Sequence, residues 1–310
     1  MLKPDKTLIV VVGPTAIGKT DLAIELALNY RTEIISADSR QFFTEMEIGT
    51  AKPSPKELQA VKHHFVNSHS IQTEFSVGDF ELQSLQLLDN LFDTHKAAVL
   101  VGGSGLYIKA VCQGFDDIPK ASEGIRKRLN ELFAEKGIES LQEYLKKADP
   151  DYFAEVDINN PQRLIRALEV WETTGKPFSY YRIQKVKPRP FNIITIGLNT
   201  SREELYRRIN YRVDLMMENG LLEEVRSLLT YRNLNALNTV GYTELFDHLD
   251  GKISLETAVD KIKQNTRRFA KRQLTWFKRQ PDIEWFEPEN TGKIISYVNQ
   301  QFLQNPGPGG

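Results

Sequence analysis

The hydrophobic positions of this chain fall into short continuous runs that are separated by longer amphipathic stretches. Three apolar runs, at residues 8–13, 33–38 and 97–103, each end at glycine or at Asp-Ser, as buried parallel strands commonly do. A helical pattern follows the first run, and another precedes the third. This alternation predicts an α/β doubly wound fold, in which helices flank a parallel sheet.

A fourth apolar run, FNIITIGLN at residues 191–199, comes much later in the chain. The stretch before it has the pattern of helices with charged faces. We therefore predict a helical insertion domain at residues 115–190, which returns to the same sheet. The core would then consist of residues 1–114 and, with the C-terminal helices, residues 191–310. The final residues, QNPGPGG, have a composition typical of disorder.

Composition narrows the class of protein. The chain has 310 residues, of which 40% are hydrophobic and 26% charged, as in globular proteins. Its net charge of -1 excludes a uniformly basic surface, so any polyanion site must be a local patch. The single cysteine, Cys112, excludes a disulfide framework and favours a reducing compartment. With an amino-terminal apolar run too short for a signal peptide, we expect a cytoplasmic protein without a membrane span.

The first apolar run leads directly into the pattern G-x-x-x-x-G-K-[ST], followed by a helical segment. Such a P-loop predicts a P-loop NTPase-like core whose backbone amides and helix N-terminus hold phosphate, with Lys19 as a cation and Thr20 as a Mg²⁺ ligand. ATP-binding kinases, hydrolases and transferases all use this motif, so it does not identify the reaction. The predicted phosphate-binding residues are Gly13, Pro14, Thr15, Ala16, Ile17, Gly18, Lys19 and Thr20.

Polar residues also follow the second and third apolar runs. Ligands of an open α/β sheet lie at the carboxyl ends of its strands, so Asp38 and Ser39 should lie beside the P-loop. Asp38 fits two roles: a capping or magnesium-shell carboxylate, or a general base that faces a bound substrate. Ser104 likewise fits a helix cap or a hydroxyl presented to the reacting centre.

Six segments, taken in order, carry a family resemblance: GPTAIGKT, ISADSRQFF, EIGTAKPS, LVGGSGLYIKA, NNPQRLIRALEVWETTGKP and RRFAKRQLTWFKR. Over residues 8–279 the chain resembles the tRNA dimethylallyltransferase family. This resemblance implies transfer of a dimethylallyl group from dimethylallyl diphosphate, with Mg²⁺. The acceptor would be the exocyclic amine of the adenine immediately 3′ of the anticodon, in the tRNA anticodon stem-loop. The P-loop would then bind a diphosphate leaving group. We expect a monomer without an obligate protein partner.

The resemblance also implies roles for single residues. Asp38 matches the general base, and Arg212 matches an arginine that binds diphosphate, although an exposed helix arginine paired with a carboxylate is equally compatible with the sequence. Ser104 replaces the usual threonine and keeps its hydroxyl. Phe43 replaces the usual tyrosine, so a polar role there is in doubt. The residues that match tRNA contacts are Asp38, Ser39, Arg40, Gln41, Ser104, Arg126, Gln162, Arg163, Leu164, Ile165 and Arg166.

A basic stripe occupies residues 261–279, where KIKQNTRRFAKRQLTWFKR has eight basic residues and no acidic one. In a chain close to neutrality, such a stripe predicts a track for an RNA phosphate backbone. Phe269, Trp276 and Phe277 are interleaved with these charges. Helical spacing favours Trp276 as a core residue.

Three other functions stay open on the sequence. An isopentenyltransferase acting on free adenine nucleotides would share the P-loop and Asp38, but it would need neither the insertion nor the basic stripe. A small-molecule P-loop kinase would require a nucleoside triphosphate. A non-catalytic RNA-binding protein that uses nucleotide as a switch would bind without Asp38.

Overall fold

The structure is a computed structural model that describes residues 5–183 and 186–304. The chain forms two compact units: a core of residues 1–113 with 188–310, and a helical unit of residues 114–187. The glycine-rich end for which the composition predicts disorder lies, apart from Gln304, outside the described residues.

The core unit is built on one six-stranded sheet, in which every pairing is parallel. Its strands are β1 (Thr7–Val12), β2 (Ile34–Ser36), β3 (His63–His64), β4 (Ala97–Gly102), β5 (Asn192–Leu198) and β6 (Ile283–Phe286). Their order across the sheet is β3-β2-β4-β1-β5-β6. The strand after the insertion therefore pairs with β1. The short edge strands β3 and β6 were not predicted, because neither forms a continuous apolar run.

Strand β1 explains why the first apolar run is unbroken. Successive side chains of a strand point to opposite faces of the sheet. Leu8, Val10 and Val12 enter one hydrophobic core, whereas Ile9 and Val11 enter the core on the other face. Since helices cover both faces, every position in β1 is buried.

Thirteen α-helices lie in the described part of the chain. None of these helices is long and apolar enough to cross a membrane. They are α1 (Lys19–Asn29), α2 (Pro55–Ala60), α3 (Val77–Thr94), α4 (Gly105–Gln113), α5 (Glu123–Ala148), α6 (Pro150–Glu155), α7 (Pro161–Thr174), α8 (Phe178–Tyr181), α9 (Arg202–Glu218), α10 (Leu221–Ser227), α11 (Tyr242–Leu249), α12 (Leu255–Phe277) and α13 (Thr291–Gln304).

The helical unit has a hydrophobic core of its own. Helix α5 is interrupted at Gly137, and both of its halves contribute to this core through Leu129 and Leu145. Leu164 and Leu168 come from α7 and are fully buried. Because the side chains of α7 are buried at i and i+4, the helix buries one stripe and exposes the opposite face.

The register of the sheet determines where the chemistry can occur. Val12 at the end of β1 pairs with Gly102 of β4, and Ser36 at the end of β2 pairs with Val101. Three neighbouring strands therefore end at the same edge. The P-loop, Asp38 and Ser104 follow these ends, where open α/β sheets bind their ligands.

Candidate active site

The P-loop connects β1 to α1. Gly18 is the N-cap of α1 and has φ 101°, a left-handed conformation that glycine adopts without a Cβ clash. Ala16 also has a positive φ, 63°, which is unusual for a residue with a side chain. Such a turn directs successive backbone amides inward, and the N-terminus of α1 adds its positive dipole end. This geometry suits an anion.

A cavity of about 460 Å³ lies against this loop, and we call it the first cavity. Residues 15–20 of the P-loop line it, whereas Gly13 and Pro14 do not. Its charged side chains come from different elements, so the fold and not local sequence brings them together. They are Lys19, Asp21, Asp38, Lys52, Glu57, Arg208 and Arg212.

A second cavity, of about 370 Å³, adjoins the first. Much of its own lining is apolar and comes from α9, α10, α12 and the loop before α11. Five residues line both cavities: Thr15, Asp38, Thr50, Arg212 and Phe269. An anion in the first cavity and a second reactant in the second cavity would therefore meet beside Asp38 and Arg212.

Asp38 is held in place through one of its two carboxylate oxygens. Its Oδ1 accepts hydrogen bonds from the backbone amides of Arg40, at 2.9 Å, and Gln41, at 3.3 Å. Within the described part of the chain, Oδ2 has no hydrogen-bond partner. The carboxylate thus caps its own turn and still lines both cavities with an oxygen that can accept a proton.

Ser104 connects the third strand end to the second. Its hydroxyl oxygen accepts a hydrogen bond from the backbone amide of Ser39, at 3.1 Å. Both residues line the second cavity, together with Arg40. The hydroxyl of Ser104 therefore fixes the turn that carries Asp38.

Two cations of the first cavity, Lys19 and Arg212, are electrostatically destabilised. Burial, and then repulsion from Arg212, lowers the pKa of Lys19 to about 7, while Asp38 acts in the opposite direction. Burial also lowers the pKa of Arg212, again against Asp38. Since burial disfavours a charged group that has no counterion, a bound anion would relieve both penalties. The Nζ of Lys19 donates to the carbonyl oxygen of Pro14 at 2.7 Å.

Arg212 is not an exposed helix arginine paired with a carboxylate. Its Nη1 donates to the Thr15 hydroxyl at 3.4 Å, and its Nη2 donates to the carbonyl oxygen of Ala51 at 3.3 Å. The side chain therefore spans from the P-loop to the loop before α2. This position leaves the guanidinium directed at the first cavity.

Sequence reasoning missed Arg208, which also lines the first cavity. Arg208 lies one helical turn before Arg212 on α9, so the two share a face. It donates to the carbonyl oxygen of Ile17 in the P-loop at 3.4 Å, and it pairs with Glu204 and Glu289. The four-residue spacing was the available signal.

Magnesium-compatible oxygens also line the first cavity. The hydroxyl of Thr20 lies at the start of α1, and Ser36 and Asp38 line the same space. Within residues 5–183 and 186–304, no group of three or more His, Cys, Asp or Glu side chains could hold a metal. Mg²⁺ commonly uses one or two protein oxygens and completes its shell with water and phosphate oxygens. The residues therefore fit a Mg²⁺ that is shared with a diphosphate.

Helix α12 contributes side chains to both cavities. Phe269 lines both, Gln273 lines the first and Arg272 lines the second. The guanidinium of Arg272 lies 5.7 Å from the centre of the Phe269 ring, a cation–π arrangement. Six of the eight basic residues of the stripe thus lie on a helix that also forms part of the site.

The expectation that Trp276 is a core residue is wrong. Trp276 is 40% exposed, whereas the neighbouring Phe277 is only 2% exposed. The buried face of α12 runs through Ala270, Gln273 and Phe277, at spacings of three and four residues. Spacing alone did not reveal which of two adjacent aromatic residues continued this face.

Two predicted tRNA-contact arginines of the helical unit share one acidic partner. Arg126 and Arg166 both bind the carboxylate of Glu169, which is 1% exposed. Arg166 also donates to the carbonyl oxygen of Pro119 at 3.0 Å. Glu169 was not predicted from the sequence. Its carboxylate holds the two guanidinium groups next to each other. Arg126 is nevertheless exposed to solvent.

The remaining predicted contacts of α7 divide between its two faces. Gln162 and Arg163 are exposed near the start of the helix. Leu164 and Ile165 are buried in the core of the helical unit. Only the first pair therefore presents its side chains to solvent.

Phe43 lies in the core unit, where the resemblance left a polar role in doubt. It is buried against Phe42, with ring centres 4.7 Å apart.

A single carboxylate anchors a loop that borders the site. Glu224 of α10 accepts hydrogen bonds from three successive backbone amides, those of Glu47, Ile48 and Gly49, and from the hydroxyl of Tyr242. The carbonyl oxygen of Ala51, two residues further along, accepts from Arg212. No local sequence pattern points to this long-range contact.

We expect Glu224→Gln to lower the free energy of unfolding by about 1–3 kcal/mol, because an amide nitrogen would face donors and leave them unpaired. Denaturant titration measures this change. Glu223→Gln is the matched control, since Glu223 is exposed on the same helix and should change stability by less than about 0.5 kcal/mol. Equal stability of the two variants would contradict the anchoring role.

This chain is similar to known proteins over most of its length. The family model described as IPP transferase matches residues 41–280. A tRNA dimethylallyltransferase of Christiangramia forsetii is 57% identical over 295 residues, covering 95% of this chain and 98% of the relative. A tRNA dimethylallyltransferase 1 of Bacteroides thetaiotaomicron is 49% identical over 297 residues and covers 96% of each chain.

A solved structure agrees with the sequence relatives. The full-length tRNA isopentenylpyrophosphate transferase of Bacillus halodurans is 36% identical, with a TM-score of 0.72. The match covers 97% of this chain and 98% of that one. On sequence and fold, this chain belongs to the IPP transferase family, the family of the tRNA dimethylallyltransferases.

Proposed function

We propose that this chain transfers the dimethylallyl group of dimethylallyl diphosphate to the exocyclic amine of the adenine immediately 3′ of a tRNA anticodon, with release of diphosphate. The observation that carries the proposal is that Asp38 and Arg212 line both cavities. The names of the relatives support tRNA as the acceptor.

The diphosphate of the donor would occupy the first cavity. Its negative charge would meet the P-loop amides, Lys19 and Arg212, with Arg208 nearby. As the allylic carbon–oxygen bond breaks, its electron pair passes to the diphosphate, and preorganised cations stabilise that growing charge. The low pKa of Lys19 supports this role, because a dianion restores the charged lysine.

The adenine would enter the second cavity with its amine toward Asp38. That amine is a poor nucleophile, because its lone pair is delocalised into the ring. As nitrogen bonds to the allylic carbon, a proton must leave the amine, and Oδ2 of Asp38 is the acceptor that we assign. The hydrogen bonds to Oδ1 keep the carboxylate oriented while Oδ2 works as the general base.

We infer that Mg²⁺ accompanies the diphosphate, with the Thr20 hydroxyl as a protein ligand. The ion would neutralise part of the charge that develops on the leaving group. Ser36 and Asp38 also line this space and can hold water of its shell.

Removing divalent metal with a chelator is expected to lower the transfer rate at least roughly tenfold, and added Mg²⁺ should restore it. The Mg²⁺ concentration for half-maximal rate should rise about tenfold in Thr20→Ala. Thr20→Ser keeps the hydroxyl and is the matched control. An unchanged rate in the presence of chelator would exclude the metal.

The tRNA would be held by basic and polar groups of each unit. In the helical unit these are Arg126, Gln162, Arg163 and Arg166, and Glu169 orients two of them. In the core unit, the exposed charges of α12 would contact the phosphate backbone. A target adenine must leave its stack to enter the second cavity, as bases do in other enzymes that modify them. We further propose a cytoplasmic monomer.

The test is incubation with dimethylallyl diphosphate, Mg²⁺ and unmodified tRNA, followed by mass analysis of the nucleosides. We expect one adenosine per tRNA to gain a dimethylallyl group in place of a hydrogen. A tRNA with guanine at that position is the control and should stay unmodified. If the protein is folded and adenosine remains unmodified, the proposal is wrong.

Two added arms separate the alternatives. Free adenosine monophosphate tests an isopentenyltransferase of nucleotides and should not be modified. ATP without an allylic diphosphate tests a kinase and should not be consumed.

A further inference from the structure

Gln273 is a buried amide on α12, a helix that otherwise carries many charges. The residue is 7% exposed, and its side chain uses both ends of its amide. The Oε1 accepts a hydrogen bond from the backbone amide of Thr15 in the P-loop, at 2.9 Å. The Nε2 donates to the carbonyl oxygen of Gly103, after β4, at 3.0 Å. One side chain therefore ties the P-loop to the neighbouring strand-end loop.

Gln273 packs directly against the backbone of Gly103, and there is no room for a side chain at that position. A Cβ on Gly103 would lie 2.1 Å from Nε2, far inside van der Waals contact. The backbone must therefore be bare for the amide to reach it. The pairing of β1 with β4 ends at Val12 and Gly102, and beyond it the length of this side chain limits how far the two loops can separate.

Each loop carries a group that the proposed reaction needs. The Thr15 hydroxyl accepts a hydrogen bond from Arg212, the proposed diphosphate ligand. Gly103 precedes Ser104, whose hydroxyl holds the turn of Asp38 through the amide of Ser39. Gln273 thus lies one contact from the diphosphate side of the site and one contact from its base side.

The neutral amide of Gln273 satisfies both loops. It offers an acceptor to the Thr15 amide and a donor to the Gly103 carbonyl at the same time. An ionised carboxylate offers no donor and would repel the carbonyl, and an apolar side chain offers neither. In either case the Gly103 carbonyl would lose its donor, and with an apolar side chain the Thr15 amide would also lose its acceptor.

We propose that Gln273 is a positioning residue, which sets the distance between the diphosphate-binding loop and the loop that orients the general base, acting through Thr15 and Gly103. The inference rests on the proposed function and extends it to a residue whose amide binds the backbone of both loops. Its effect is therefore on the alignment of the two reactants.

The first test is Gln273→Met, which keeps the length of the side chain but loses both hydrogen bonds. We expect kcat to fall roughly 10- to 100-fold, because small misalignments are costly for a two-reactant step. Affinity for tRNA should stay within about twofold, since the exposed cations of α12 are unchanged. Gln86→Met, an exposed position on α3, is the matched control and should keep the wild-type rate.

The second test is Gln273→Glu, assayed from about pH 5 to about pH 9. The protonated carboxyl has one donor and one acceptor, as the amide has, and should restore alignment. Its ionised form should not, so the ratio of variant to wild-type kcat should fall as pH rises. The cations that line the same cavity would lower the pKa of such a carboxyl: Lys19, Lys52, Arg208 and Arg212. Burial and the acidic residues of the cavity, Asp21, Asp38 and Glu57, would raise it.

Affinity for inorganic diphosphate with Mg²⁺, measured by calorimetry, separates this inference from the proposed function. The affinity for diphosphate should weaken in Gln273→Met even if tRNA is not the acceptor, because the P-loop loses the hydrogen bond between the Thr15 amide and Gln273. A Gln273→Met protein with wild-type kcat and diphosphate affinity would overturn the inference. So would a Gln273→Glu ratio that does not change with pH.

Discussion

Asp38→Asn is expected to lower kcat by about 10²- to 10⁴-fold, the contribution typical of a general base. The asparagine keeps an oxygen in the position of Oδ1, so the hydrogen bonds from Arg40 and Gln41 survive and the turn stays in place. Its amide nitrogen, in the position of Oδ2, cannot take a proton from the incoming amine. Single-turnover measurement of modified adenosine reports this step directly.

We expect Asp38→Asn to bind diphosphate at least as tightly as the wild type. Affinity for diphosphate should stay the same or increase slightly, because a negative charge beside the first cavity is removed. Asp89→Asn, on the exposed face of α3, controls for the loss of one carboxylate and should keep the wild-type kcat. A rate for Asp38→Asn within about threefold of wild type would mean that another group accepts the proton.

Arg212→Met is expected to reduce kcat/KM for dimethylallyl diphosphate by about 10²- to 10³-fold. The guanidinium reaches both the P-loop and the loop before α2, and a methionine of similar size replaces neither its charge nor its hydrogen bonds. Arg212→Lys should be intermediate, because it restores the charge without the planar fork of donors. Steady-state kinetics with varied donor at saturating tRNA measures the change.

Arg207→Met is the matched control for that substitution. Arg207 lies on the same helix, but its side chain is 71% exposed and pairs with Glu204 at the surface. Since surface ion pairs contribute little, kcat/KM should change less than about twofold. Similar losses in both arginine variants would indicate a general effect of charge on α9, not a diphosphate site at Arg212.

The parts of the site that have a local sequence pattern, such as an apolar run or a fixed motif spacing, could be predicted from the sequence. Strands β1 and β4 form continuous apolar runs because both of their faces are covered, and the P-loop has a fixed spacing. Strand β6 was missed because its half-buried residues do not form such a run. Asp38 could be placed at the site from its strand end alone, but which of its oxygens is free could not.

The contacts that position the chemistry were not predictable, since their partners are distant in sequence. Gln273 meets Thr15 across 258 residues, and Glu224 meets Gly49 across 175. Arg126 meets Glu169 across 43 residues. Charge and spacing suggest that such residues matter, but only the fold determines which partner each one has.

The topology of the sheet has a consequence for how the protein forms during synthesis. Strand β1 lies between β4 and β5, and β5 follows the whole helical unit. The central strand therefore cannot gain its second neighbour until the ribosome has passed the insertion. The helical unit, whose contacts are local in sequence, can become compact before that point, and closing the sheet across so long a stretch of chain is the slow, late step.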